Sequence, residues 1–217
     1  MNFKKLNGFL RELQKNNSKE WMDLHRKRYR ALRSEFIEWL DEVDQMLAAI
    51  DEAYYSTPGR KGINRINNNL MFHPYKPVYK DYFAAALDKA PGTGDFYLEI
   101  GVDESLFAGG LWRPEPKVLR SIRDALDYDG DVFKQIINKK SFRTTFGDLY
   151  EDERLKTSPK GFSRDHPQID LLRNKTFAVI HRFSNEAVYK DDFKEKLIGV
   201  YREMLPFRRY LNRAITV

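Results

Sequence analysis

The densest collection of chemically capable side chains in this sequence lies between positions 65 and 80, in the stretch RINNNLMFHPYKPVYK. Arg65, Lys76 and Lys80 are cationic. Asn67, Asn68 and Asn69 offer both donors and acceptors, and Tyr75 and Tyr79 add aromatic faces with hydroxyl tips. Held between firm elements, such a segment lines a cleft for an anionic ligand; left to itself, it is a solvated loop whose asparagines make turns.

Two further stretches add candidates. In FAGGLWRPEPKVLRSIR, from Phe107 to Arg123, Trp112 offers stacking and Arg113 charge beside a Gly-Gly pair. Helix starts bind phosphate through unpaired N–H groups and a positive dipole end. Here Pro114 and Pro116 lack the N–H and Glu115 opposes an anion, so Gly109 and Gly110 read as a structural strand-to-helix junction with the helix starting at Pro114. In GFSRDHPQID, Asp165 stands beside His166, which permits acid–base work by the imidazole and equally suits the cap of a following helix.

Other chemistries find little support. The absence of cysteine removes disulfides, thiolate metal sites and cysteine nucleophiles, and it suits a reducing, cytoplasmic setting. His25, His73, His166 and His181 form no H-x-x-x-H or H-x-H pair, so no metal is expected, nor a cofactor. No G-x-S-x-G elbow is present. The charged fraction of 32% argues for a soluble chain, and no apolar run approaches the roughly 20 residues of a membrane span. No amino-terminal signal core is visible, and no membrane partner is expected. A net charge of +6 favours anionic partners, nucleic acid among them. Arg26, Arg30 and Arg33 form a basic stripe, later echoed by FRRYLNR, but Glu35, Glu38, Asp41, Glu42 and Asp44 follow on the same helix, which favours mutually compensating faces.

Hydrophobic spacing supplies the elements. Phe3, Leu6, Phe9, Leu10 and Leu13 mark an opening helix, and Asn17 with Glu20 reads as the capping box of a second, long one. Along that helix Tyr29, Phe36, Val43 and Ile50 alternate with Leu32, Trp39 and Met46 in one apolar seam that suits either the protein's own core or a helix from a second chain. Strands are expected at DYFAAAL, DFYLEIG, SLFAGG and TFAVIHRF, where Phe96, Leu98 and Ile100 alternate with Tyr97 and Glu99. Helices are expected from Pro114 to about Tyr128, over DVFKQIINKK, from Pro167 to Arg173, and from Asp191 onward with an interruption at Pro206. The pattern is α+β: helices, one of them long and N-terminal, packed on a mostly antiparallel sheet in a single domain spanning residues 1–217.

The blocks FLRELQKNNSKEWMDLHRKRY, RINNNLMFHPYKPVYK, LFAGGLWRPEPKVLRSIRDAL and RLKTSPKGFSRDHPQIDLL, in that order, resemble the domain-of-unknown-function 2461 family of mostly bacterial and fungal proteins. The resemblance implies no activity. In its second block Arg65, Phe72, Lys76, Tyr79 and Lys80 match the family pattern. Asn68 and Asn69 replace an arginine-aspartate pair, Met71 a second arginine, Tyr75 an aspartate and Val78 a proline. Those departures favour binding over inherited catalysis. The resulting expectation is a small phosphate- or carboxylate-bearing ligand held by Arg65, Lys76, Tyr79, Lys80, Trp112, Arg113 and His166. A nucleic-acid or protein interaction along the basic long helix is the alternative, and neither reaction nor oligomeric state is specified.

Overall fold

The computed structural model describes residues 1–151 and 153–216. Helix α1 spans Phe3–Lys15, with Asn2 accepting the Lys5 N–H at 3.0 Å as its cap. Its Phe3, Leu6, Phe9, Leu10 and Leu13 are all buried, as their spacing requires. Helix α2 spans Lys19–Ala48 and buries Leu32, Phe36, Trp39, Leu40, Val43 and Leu47 along one seam. Its N-cap is Ser18, whose hydroxyl accepts the Trp21 N–H at 3.2 Å, and not Asn17. A one-residue shift of the cap leaves the Asn17 amide free for a longer-range task described below.

A short helix α3 covers Gly59–Gly62, and strands β1 (Tyr82–Leu87), β2 (Phe96–Gly101) and β3 (Ser105–Leu111) follow. Helices α4 (Pro116–Asn138), α5 (Lys140–Phe146) and α6 (Ile169–Leu172) precede strand β4 (Phe177–Phe183), and α7 (Asn185–Val188) and α8 (Phe193–Ala214) complete the chain. The strands form one antiparallel sheet in the order β1-β2-β3-β4, so the fold is α+β. Helix α4 starts at Pro116 rather than Pro114, with proline at a position whose N–H has no helical partner anyway. It joins the two helices expected here across a non-helical Asp129, at φ −136° and ψ 30°. The interruption expected at Pro206 does not end α8, which runs through it. Helix α5 escapes notice in the sequence because only Phe142 and Phe146 mark its buried side.

Contacts divide the chain into two compact units, with β2, β3, β4 and α8 contributing residues to both. The first comprises Met1–Lys89, Tyr97–Phe107 and Arg182–Ile198. Its core is aromatic. Phe3 meets Trp39 edge-on at 5.1 Å, Trp39 stacks on Phe193 at 5.8 Å, and Phe36 meets Phe83 at 5.5 Å. Burying each such ring contributes roughly 1.5–3 kcal/mol before entropy is counted.

The second unit comprises Ala90–Phe96, Ala108–His181 and Gly199–Val217, of which Asp152 and Val217 fall outside the described residues. It is built around Phe133, which lies 4.9 Å from Tyr210 and 5.7 Å from Phe207, while Phe142 packs 5.7 Å from Phe207. The Gly-Gly pair lies inside β3 in this unit. Gly110 sits at φ 112°, and a Cβ there would run into the Phe177 carbonyl oxygen, so close backbone approach is what fixes this glycine.

Candidate functional site

The stretch from Asn64 to Lys80 leaves and returns antiparallel to itself. Asn67 pairs with Tyr79, the Asn68 N–H donates to the Val78 carbonyl at 3.0 Å, and the Lys80 N–H donates to the Ile66 carbonyl at 2.8 Å. The asparagines do turn work as well, since the Asn68 amide donates to the Pro77 carbonyl at 2.8 Å and the Asn69 carbonyl accepts the His73 N–H at 2.9 Å. Across 62 positions, Asn17 grips the backbone of Tyr79: its Oδ1 accepts the Tyr79 N–H at 2.8 Å and its Nδ2 donates to the Tyr79 carbonyl at 2.9 Å. Tyr79 is only 4% exposed, with its hydroxyl near Arg26, so it acts as the anchor of this segment.

Anchoring Tyr79 positions its neighbour. Half-buried Lys80 donates from Nζ to the Arg65 carbonyl at 2.9 Å and lies 5.9 Å from the centre of the Tyr82 ring. Burial, then the positive charges of Arg65 and Lys76, push the Lys80 ammonium below its usual range, with Glu99 pulling the other way. Arg65 and Lys76 are themselves exposed. The first unit therefore brings Arg65, Lys76 and Lys80 into one electrostatic neighbourhood.

Beside these cations lie groups that the sequence reasoning passed over. Tyr97 and Glu99, two apart on β2, share a sheet face, and the Tyr97 hydroxyl donates to Glu99 Oε2 at 2.6 Å. Burial raises the Glu99 carboxyl above the usual carboxylate range; Glu104 and Asp81 add to this, while the Tyr97 hydrogen bond and Lys80 oppose it. Tyr97 is pushed far above the ordinary phenol range by burial and by Glu99, and it shares a hydrogen bond with Tyr82. The available signal was a carboxylate in mid-strand, alternating with the apolar face of Phe96, Leu98 and Ile100.

The other expected site residues belong to the second unit. Trp112 is 52% exposed and tilts against Tyr150 at 4.8 Å. Arg113 adopts φ 42°, uncommon for a non-glycine residue, with its N–H donating to Thr176 Oγ1 at 3.2 Å. Its guanidinium lies 3.7 Å from Glu153 and 5.9 Å from the Trp112 ring centre.

His166 takes Asp127 as its carboxylate partner, at 2.7 Å from Nε2, rather than the adjacent Asp165. The Gln168 N–H donates to His166 Nδ1 at 3.0 Å, so Nδ1 carries no proton and the Nε2–H donates to Asp127. Both ring nitrogens are thereby committed to holding the turn before α6. On α2, Arg26 pairs with Asp23, Arg28 makes a two-pronged contact with Glu12 at 2.6 and 3.1 Å, and Arg33 meets the Tyr29 hydroxyl. Of the stripe formed by Arg26, Arg30 and Arg33, Arg26 is thus compensated by Asp23 and Arg33 is held by a phenol hydroxyl.

The family model of the conserved hypothetical proteins termed domain of unknown function 2461 (DUF2461) matches residues 5–210. The chain belongs to the DUF2461 family. No curated protein and no solved structure matches the chain. The segment from Arg65 to Lys80, the Trp112-Arg113 corner and the turn around His166 all lie within the DUF2461 match, so the family extent does not separate one candidate group from another. Among the described residues, no helix is long and apolar enough to cross a membrane.

Proposed function

We propose that the first unit of this DUF2461 protein binds a small anionic ligand, bearing phosphate or carboxylate, through Arg65, Lys76 and Lys80. One observation carries the reading: Lys80 is half-buried with its Nζ on the Arg65 carbonyl at 2.9 Å, and its ammonium is pushed below its usual range first by burial and then by the Arg65 charge, with Lys76 adding to this and Glu99 opposing it. Holding like charges together in a partly desolvated place is unfavourable, and an anion that accepts hydrogen bonds from them removes the conflict. Tyr79, clamped by Asn17, fixes where Lys80 stands and leaves ligand contact to its neighbours. A cysteine-free, highly charged chain also suits a cytoplasmic protein that meets phosphorylated and carboxylated metabolites.

Thermal-shift titration of the full chain with orthophosphate, citrate and a panel of phosphorylated metabolites tests the reading. A binding anion raises the midpoint with concentration, following RT ln(1 + [L]/Kd), and the Lys76→Ala/Lys80→Ala double variant loses that response. If no anion shifts the wild type, or if the variant shifts equally, the proposal fails.

A further inference from the structure

The loop that carries Arg65, Lys76 and Lys80 ends in a tip that a small anion does not use. From Leu70 to Pro77 every residue is exposed, with Met71 at 80%, Phe72 at 68% and Tyr75 at 99%. Every other phenylalanine of the chain is buried or half-buried. Local hydrogen bonds hold the tip in this form: the His73 N–H donates to the Asn69 carbonyl at 2.9 Å, and the Lys76 N–H to the His73 carbonyl at 3.1 Å. Behind it, the Asn67–Tyr79 bridge and the Asn17 clamp fasten the two legs of the loop. The apolar tip therefore stands on a firm stem. Exposed apolar clusters of this kind mark interaction surfaces. Among the described residues, the other exposed large apolar side chains stand singly or, at Tyr128 and Val132 on α4, as a pair.

The charge around the tip has one sign. Between Glu52 and Asp81 the chain carries Arg60, Lys61, Arg65, Lys76 and Lys80 and not one acidic residue. Lys76 belongs to the exposed tip itself, and Arg65 on the outgoing leg is exposed as well.

We propose that this tip docks on the surface of an anionic lipid bilayer, with Met71, Phe72 and Tyr75 entering the headgroup region and Arg65 and Lys76 meeting lipid phosphate and carboxylate groups. Aromatic rings with polar edges favour that interface, and each cation near an anionic leaflet adds attraction. The inference shares two cations with the anion reading and does not depend on it, because it rests on the apolar tip. The sequence argued against a membrane partner only through the lack of a spanning run, and a surface contact needs none.

Shape and charge favour a bilayer over a protein. Eight successive exposed residues make a convex feature, for which a protein partner would have to supply a matching pocket, whereas a headgroup layer parts around it. A second copy meeting tip to tip would set Lys76 and Arg65 against the same cations, with no acid on either loop to answer them.

Co-sedimentation of the full chain with vesicles tests the proposal. Binding is expected to vesicles of phosphatidylcholine and phosphatidylserine in about a 7:3 ratio at low salt, and to be weak with phosphatidylcholine alone. Arg65→Ala/Lys76→Ala should lower the partition coefficient about 25-fold, at roughly fivefold per cation. Met71→Ser/Phe72→Ser should lower it at least about tenfold while keeping the orthophosphate-induced thermal shift. Phe72→Trp keeps an aromatic tip and adds a reporter, whose emission brominated phosphatidylcholine in the vesicles should quench. Wild type that stays in the supernatant at low salt overturns the inference, and an orthophosphate shift in that same protein leaves the anion reading standing. Equal sedimentation of wild type and Met71→Ser/Phe72→Ser also overturns it, assigning the binding to the net charge of +6 alone. Binding of Phe72→Trp without quenching excludes entry of the tip and has the same force. Tip-dependent self-association without vesicle binding overturns it in favour of a second copy. Vesicle binding in a protein that no free anion stabilises supports this inference and overturns the anion reading.

Discussion

Asn17 and Tyr79 stand 62 residues apart in sequence and share two hydrogen bonds, 2.8 Å from the Tyr79 N–H to Oδ1 and 2.9 Å from Nδ2 to the Tyr79 carbonyl. A side-chain amide is the only common group with the donor and acceptor side by side that a backbone peptide needs. The junction between α1 and α2 thereby doubles as a mooring for the segment that carries Lys80.

Replacing Asn17 by Ala should destabilise the protein by about 1–3 kcal/mol, because a part-buried peptide group loses both partners at once. Asn17→Asp keeps only the acceptor and should fall between wild type and Asn17→Ala. Equilibrium urea unfolding measures the order. Equal stability of all three would show that the clamp contributes nothing. If Lys80 depends on the clamp, Asn17→Ala should also weaken the orthophosphate-induced thermal shift.

Glu99 makes a pH prediction whose sign is fixed. Its folded-state pKa is raised, mainly by burial, so folding holds its proton more tightly than the unfolded chain does. The stabilising effect of the protonated form is complete below the ordinary carboxyl pKa of about 4.3 and disappears as pH rises through the folded value, where the ionised carboxylate begins to cost free energy. Glu99→Gln should therefore raise the melting midpoint at pH 7–8, with the advantage shrinking towards zero near pH 4. A variant less stable than wild type at pH 8 would contradict the assignment.

Gly110 admits no side chain. At φ 112°, with the Phe177 carbonyl where a Cβ would stand, Gly110→Ala must both strain the backbone and push strand β4 away. A loss of at least about 3 kcal/mol is expected, enough to reduce soluble yield sharply. Denaturant midpoints, or expression at two temperatures, would show it.

His166 should behave as a structural residue. Its Nδ1 accepts the Gln168 N–H and its Nε2–H donates to Asp127, so His166→Ala should cost about 1–2 kcal/mol in a denaturant melt. Proteolysis of the turn before α6 should quicken. Orthophosphate or sulfate binding to the first unit should be unchanged, and a large loss of that binding would place His166 in the ligand site.

The parts legible in the sequence were those with a strong period. Phe3, Leu6, Phe9, Leu10 and Leu13, and the α2 seam of Leu32, Phe36, Trp39 and Val43, repeat often enough that only one face can be buried. Strand β2 was legible from the alternation of Phe96, Leu98 and Ile100 with Tyr97 and Glu99, whereas β1, buried from Phe83 to Leu87, showed only as a short apolar run between turns. What failed was local competition between similar side chains. Asn17 and Ser18 both suit an N-cap, and the choice fell to Ser18 because Asn17 satisfies a distant peptide that no local pattern reveals. Asp165 and Asp127 compete likewise for His166, and the partner one helix away prevailed over the sequence neighbour. The loop cations Arg65, Lys76 and Lys80 were visible as a cluster of type and spacing, whereas Glu99 and Tyr97 gain meaning only when the sheet sets them beside that cluster.

The return path of residues 63–67 has another effect. Strand β1 lies at the end of the sheet order, and its Phe83, Ala84, Ala85, Ala86 and Leu87 are buried. Ile63 bridges to Ala85, and the Asn64 N–H donates to the Ala84 carbonyl at 2.8 Å, so the loop covers part of the hydrogen-bonding edge of β1. Exposed edges of apolar strands recruit other chains. The segment is thus also a guard against self-association, and shortening it would turn a local deletion into a sticky protein.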